Sequence, residues 1–158
     1  MIIGLSGQKG SGKTFVAEWL ERRGFERIAF ADPLKRATME LCGWEREHVY
    51  GDFKEVVCPR VGKTPRWVLQ QLGTDFVREQ IGKGHWIELA WHTIKRGMVE
   101  RAQLDWVIED ARFANEAEAV RSWGGIVIGL EGDSEGGEHA SEAEMREQWE
   151  SMTDYRVY

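Results

Sequence analysis

The octapeptide Gly7-Gln8-Lys9-Gly10-Ser11-Gly12-Lys13-Thr14 decides how the rest of the chain is read, because it satisfies every fixed position of G-x-x-x-x-G-K-[ST]. It follows a short apolar run, Ile2, Ile3 and Leu5, and it leads into Phe15, Val16, Trp19 and Leu20 at helical spacing over residues 13–23. Strand, glycine loop and helix in that order point successive main-chain N–H groups, and the dipole of a new helix, at a phosphate. In this reading Gly7, Gln8, Lys9, Gly10, Ser11 and Gly12 form a cradle. Lys13 reaches the β- and γ-phosphates of a nucleoside triphosphate, and the Thr14 hydroxyl ligates Mg²⁺.

Working outward, Gly24 closes the first helix, and Arg27-Ile28-Ala29-Phe30 predicts a second strand. Asp32-Pro33 reads as an N-cap followed by proline at the first helical position, opening a helix through Cys42. Residues 43–63 are broken by Gly43, Gly51, Pro59 and Gly62 and read as a loop or excursion. Thr64-Pro65 repeats the cap-then-proline signal. Leu69, Leu72 and Phe76, then Trp86, Leu89, Ala90, Ile94 and Met98, predict two amphipathic helices. The apolar run from Leu104 to Glu109 predicts a strand buried on both faces. A helix over 115–122, a strand over 126–130, a helix over 141–149 and a last strand over 155–158 complete the order. The alternation predicts an α/β chain: a three-layer P-loop NTPase fold with a mainly parallel sheet of about five strands. One domain over residues 1–158 is expected, with a helical region over about 32–100 and a short acidic lid candidate over about 131–141.

Composition bounds the partners. The chain has 158 residues, 42% of them hydrophobic and 30% charged, with a net charge of −6. That is a globular composition, and its excess acid argues against coating a nucleic acid polymer. The acid is concentrated: residues 131–150 carry eight acidic side chains against Arg146 alone, so the remainder stands at +1 and admits a small anionic ligand. Cys42 and Cys58 form no CxxC pair, and His48, His85, His92 and His139 add no ligand spacing, which disfavours both a disulfide framework and a zinc site. A reducing cytoplasm is the simplest home. The short apolar start lacks a signal peptide's basic flank, and no run is long enough to span a membrane. A monomer, or at most a weak dimer, is compatible with this composition.

A second chemical signal follows Val107-Ile108, where an apolar strand ends in Glu109-Asp110, the edge at which ligands bind in open α/β sheets. Asp110 is the candidate Mg²⁺ carboxylate; a strand-end cap is the alternative, and Glu109 is a rival for the metal. Arg112 offers a fork that grips phosphate bidentately. Lys35 and Arg66 lie early in their helices and read either as acceptor-site cations or as solvated surface charge. Asp32 divides between an N-cap and an acceptor-site carboxylate.

These residues carry a resemblance. Gly7 to Thr14, Phe30-Ala31-Asp32-Pro33-Leu34-Lys35, Thr64-Pro65-Arg66, Leu72-Gly73-Thr74-Asp75, Asp110-Ala111-Arg112-Phe113-Ala114-Asn115-Glu116 and His139-Ala140-Ser141-Glu142 together resemble the deoxynucleoside monophosphate kinases of tailed bacteriophages. The segments span nearly the whole chain in order, and D-x-R-F-x-N-E is much narrower than the phosphate loop. The resemblance implies an adenylate-kinase-like fold, ATP as phosphate donor, Mg²⁺, a deoxynucleoside 5′-monophosphate as acceptor and, for a phage enzyme, the host cytoplasm. It implies that Asp32, Lys35 and Arg66 face the acceptor and that Arg112 grips its phosphate; His139 and Ser141 are polar lid candidates, Ser141 being equally readable as a capping box with Glu144. Asn115 and Glu116 either contact base or sugar or start a helix. Trp67, Trp86 and Phe113 are candidates to stack on a base.

The sequence departs from that family's pattern where an arginine usually follows the strand at 126–130, since residues 131–142 contain neither arginine nor lysine. Either closure passes to Arg78, Lys83, Arg96 or Arg112, or turnover is slow. Another small-acceptor kinase, such as a dephospho-coenzyme A, shikimate or gluconate kinase, shares the loop but not the D-x-R-F-x-N-E string. A non-catalytic ATP-binding switch is the alternative from a different class.

Overall fold

The structure, a computed structural model, describes residues 1–101, 104–132 and 148–157. Among these, β1 (Ile2–Ser6), β2 (Phe25–Ile28), β3 (Asp105–Ile108), β4 (Ile126–Leu130) and β5 (Tyr155–Val157) form one five-stranded sheet in the order β2-β3-β1-β4-β5. Every neighbouring pair is parallel. The fold is therefore the α/β class that the alternation predicts. β1 is buried along its whole length, as a central strand must be.

The period of the strands sorts the helices onto two faces. Leu5 and Ile3 pack with Val107 against Ala17 and Leu20 of α1 (Lys13–Glu21). Gly4 points the other way, where a Cβ would stand 3.3 Å from the Val120 side chain of α6 (Ala114–Ser122). Helix, sheet and helix make the three layers.

The chain divides into two compact units, Met1–Phe30 with Ile87–Tyr158, and Ala31–Trp86. The first holds the sheet, α1, α6 and most of α5 (His85–Glu100), whose Ala90 and Ile94 are buried. The second holds α2 (Asp32–Cys42), α3 (Arg46–Val49), a 3₁₀ turn (Asp52–Glu55), α4 (Pro65–Gln70) and a π-helix (Gln71–Ile81). Leu34, Trp44, Val49, Val68 and Leu69 form its core.

Local details differ from the sequence reading, each for a physical reason. The second strand lies two residues earlier than 27–30, because the Phe30 N–H is taken by the Asp110 carboxylate at 2.7 Å and not by a ladder partner. Ala31, not Asp32, caps α2: its carbonyl accepts from the Lys35 N–H at 2.9 Å, and Asp32 and Pro33 fill the first two helical positions. Thr64 does cap α4, its hydroxyl accepting from the Trp67 N–H at 3.1 Å. The helix predicted through Leu69, Leu72 and Phe76 rewinds as a π-helix from Gln71, and Phe76 is left 53% exposed, since i→i+5 winding rotates it off the apolar face. Residues 43–63 are an excursion that contains α3 and the 3₁₀ turn. On α1, Phe15 and Trp19 face solvent, with the Arg23 guanidinium 3.3 Å from the Trp19 ring centroid. Of the helix expected over 141–149, residues 141–147 lie outside the described residues, as does Tyr158, while 148–152 are helical and bury Met152. No described helix is long and apolar enough to cross a membrane.

Candidate active site

The site of the first unit is assembled at the C-terminal ends of adjacent parallel strands. β1 delivers the glycine loop, β3 delivers Glu109 to Arg112, and β4 delivers Glu131 and Gly132. Strand neighbours lie ~4.8 Å apart, so three separate loops converge without any one of them reaching far.

Within the loop the glycines are demanded by geometry. Gly7 has φ +152°, and a Cβ there would stand 2.5 Å from both the Leu130 carbonyl and Ser11 Oγ. Gly12 has φ +87° and immediately precedes α1, whose first helical bond runs from the Val16 N–H to the Gly12 carbonyl at 3.0 Å. The first-turn N–H groups of α1 are therefore directed out of the helix end, as anion binding requires. The Lys13 ammonium donates to the Gly7 carbonyl at 2.5 Å and to the Gln8 carbonyl at 2.6 Å, so the cation is held on the loop itself. Gly132 packs on the same loop: a Cβ there would stand 3.0 Å from Ser11 Cα.

Thr14 is exposed on the first turn of α1, and Asp110 follows β3. The two offer oxygen donors, the type a hard divalent cation takes. Among the described residues no group of three His, Cys, Asp or Glu side chains is arranged to hold a metal ion. Oxygen donors of this type fit Mg²⁺. Asp110 also serves as a strand-end tie through its bond from the Phe30 N–H. Its rival Glu109 is engaged by Arg27, whose Nε donates to Oε2 at 2.9 Å.

Arg112 lies between Asp110 and α6, and the segment is shaped by Glu116. That carboxylate is 4% exposed and accepts from the main-chain N–H groups of Arg112, at 2.8 Å, and Phe113, at 3.2 Å. Glu116 thus serves as an internal cap that holds the main chain at Arg112 and Phe113, with Asn115 half-buried beside it. Phe113, one of the stacking candidates, is 7% exposed and belongs to the core. His139 lies outside the described residues.

The remaining candidates, apart from Arg96 on α5 of the first unit, lie in the second unit. Asp32 Oδ1 accepts from the Tyr50 hydroxyl at 3.2 Å, and the Lys35 ammonium stands 3.8 Å from the same oxygen. Lys35 Nζ also lies 4.3 Å from the Tyr50 ring centroid, and the Arg46 guanidinium 4.6 Å from it. Burial, and then the adjacent Asp32 charge, push the Tyr50 phenol up to about 12. Arg66 pairs with Glu55 of the 3₁₀ turn at 2.5 Å. Trp67 is 44% exposed, with Lys63 Nζ 4.9 Å from its ring, whereas the Trp86 indole N–H is bonded to the Gly73 carbonyl at 3.1 Å. Arg78 is buried, its Nη1 donating to the Lys83 carbonyl at 3.3 Å, and Arg96 pairs with Glu100 along α5. Tyr50 and Glu55 are absent from the sequence-based set. Glu45 followed by His48 at helical N3 spacing marks the start of α3, where His48 Nδ1 accepts from the Glu45 N–H at 3.2 Å.

Comparison with known proteins adds the following. No protein-family model matches the chain. A curated protein of Acanthamoeba polyphaga mimivirus, named "Putative deoxynucleotide monophosphate kinase", is 36% identical over 162 residues, covering 92% of this chain and 82% of that protein. Among solved structures, TT1252 from Thermus thermophilus covers 99% of this chain and 87% of its own at 20% identity, with a TM-score of 0.42. A shikimate kinase from Acinetobacter baumannii, in complex with shikimate, covers 99% and 82% at 13% identity, with a TM-score of 0.45.

Proposed function

The chain belongs to the deoxynucleotide monophosphate kinase family of the mimivirus protein, and from that premise we propose that it transfers the γ-phosphate of ATP to a deoxynucleoside 5′-monophosphate, giving ADP and the diphosphate. The observation that carries the reading is Lys13: its ammonium is held on the carbonyls of Gly7 and Gln8, within a loop whose Gly7 and Gly12 have left-handed φ. A lysine so placed exchanges main-chain carbonyls for phosphate oxygens when a triphosphate enters the cradle.

The roles divide as follows. Gly7 to Gly12 bind the triphosphate through main-chain N–H groups, and Lys13 stabilises charge on the transferring group. Thr14 and Asp110 would hold Mg²⁺, which would supply charge neutralisation between the phosphates. Arg112, oriented by Glu116 through its own main chain, grips the acceptor phosphate. Asp32, Lys35 and Arg66 serve the acceptor nucleoside monophosphate, with Asn115 assigned to its base or sugar. No protein nucleophile is required, because phosphoryl transfer rests on positioning and electrostatics.

The test is coupled ADP formation with protein, Mg²⁺ and ATP, adding each deoxy- and ribonucleoside monophosphate singly. ADP that depends on a deoxynucleotide is the expected result. ADP formed at one rate with or without acceptor, or dependence on shikimate or another non-nucleotide alone, overturns the proposal.

A further inference from the structure

Tyr50 lies in the stretch of the chain that the sequence left least legible, yet the structure ties it to two acceptor-side candidates at once. Its hydroxyl donates to Asp32 Oδ1 at 3.2 Å, since an ionised carboxylate can only accept. Its ring carries the Lys35 ammonium at 4.3 Å and the Arg46 guanidinium at 4.6 Å. The Lys35 side chain is 12% exposed and that of Asp32 25%, so both charges are largely withdrawn from water.

The distances describe a division of labour. Lys35 and Asp32 are three residues apart on the first turn of α2, where an ammonium and a carboxylate readily close into a direct hydrogen bond. Here Lys35 stands 3.8 Å from Oδ1 as an ion pair, while the Tyr50 hydroxyl donates to that oxygen from 3.2 Å and its ring lies beside the ammonium. Tyr50 itself stays 39% exposed at the end of α3. It touches both the carboxylate and the ammonium and is placed to fix their separation.

We propose that Tyr50 is a positioning residue of the acceptor site, setting affinity for the deoxynucleoside monophosphate by orienting Asp32 through its hydroxyl and Lys35 through its ring. This rests on the kinase reading above for the identity of the ligand. Tyr50 touches no reacting atom in this account; it acts through its two neighbours. Arg46 and Arg36 also bear on the phenol, and their charge acts against that of Asp32.

The experiment uses the full chain and three variants, Tyr50→Phe, Asp32→Asn and the double variant. Equilibrium binding of each deoxynucleoside monophosphate is measured by titration calorimetry alongside steady-state transfer. Tyr50→Phe keeps the ring and removes the hydroxyl, so acceptor affinity and acceptor KM should worsen roughly three- to tenfold, the range set by one hydrogen bond, with the KM for ATP and kcat within about twofold. The double variant should be no worse than Asp32→Asn alone, since the hydroxyl acts only through that carboxylate. Tyrosinate absorbance supplies a readout that activity does not enter: Asp32→Asn should lower the high-pH step of Tyr50. Unchanged acceptor binding in Tyr50→Phe, multiplying effects in the double variant, or a tyrosinate step indifferent to Asp32 each overturns the inference. Transfer by the parent chain with unaltered Tyr50→Phe binding sinks this inference and leaves the kinase reading standing. Binding that behaves as expected without any transfer does the reverse. A parent chain that binds no deoxynucleotide overturns both.

Discussion

The phosphate loop of the first unit is made of main chain, whereas the Asp32, Lys35 and Tyr50 cluster of the second is made of side chains, and the two should answer change differently. In the loop, Gly7 leaves no room for a Cβ, and Lys13 bonds to carbonyls that every sequence possesses. Its geometry is fixed by which residues lack a side chain. The cluster instead depends on pairwise contacts at 3.2 to 4.6 Å among partly exposed groups, any of which can be traded for another of similar shape. Main-chain sites are therefore close to all-or-none, and side-chain sites are graded.

The sharpest break in that contrast would come from Gly7→Ala. The added methyl group meets the Leu130 carbonyl and Ser11 Oγ at a left-handed φ, so a stability loss of about 2–4 kcal/mol by thermal or urea melting is expected, together with loss of ATP binding. An active, fully stable Gly7→Ala protein would remove the distinction. Lys13→Ala should lower transfer by at least ~100-fold while the melting temperature moves only a few degrees, because the lysine binds charge and does not pack. Comparable loss of fold and activity would place Lys13 among structural residues.

Glu116→Ala should fall between the two plans, since a buried side chain there organises main chain. Two N–H groups lose their acceptor, for a cost of about 1–3 kcal/mol in a urea melt, and acceptor KM should rise more than ATP KM as Arg112 loses its orientation. In the cluster, the Tyr50 phenol is raised to about 12 against an ordinary value of 10, so the folded state favours the protonated form. The stabilisation is fully present below pH ~10 and is lost as pH rises from there through 12. Alkaline melts of the parent chain should therefore lose stability over that interval, and Tyr50→Phe should lose less. The smallest effect is expected from Glu55→Gln, whose partner Arg66 is paired near the surface: under ~1 kcal/mol by urea melting.

The same contrast explains what the sequence made readable. The glycine loop and the Thr64 cap were legible because a main-chain conformation requires a residue type at a fixed offset. The order of strands and helices in the first unit was legible from apolar period. The two-residue displacement of β2 was not, since it depends on Asp110, eighty residues away, taking the Phe30 N–H. Nor was the π-winding of Gln71–Ile81, which leaves Phe76 exposed although its spacing from Leu69 and Leu72 fits an α-helical face. Tyr50 is not legible in the sequence, because its contacts to Asp32, Lys35 and Arg46 are encoded by no local pattern around Gly51. Arg66 was legible as a cation early in α4, but its pairing with Glu55 was not.

In the proposed reaction the γ-phosphate passes directly to a deoxynucleotide. The measurement that reads this is the fate of γ-labelled ATP incubated with the protein, Mg²⁺ and the deoxynucleoside monophosphate that best supports ADP formation, the products being separated by chromatography. Label recovered in the deoxynucleoside diphosphate, and absent from it with Lys13→Ala, is the result expected. Label recovered only as inorganic phosphate, with or without the deoxynucleotide, would contradict it.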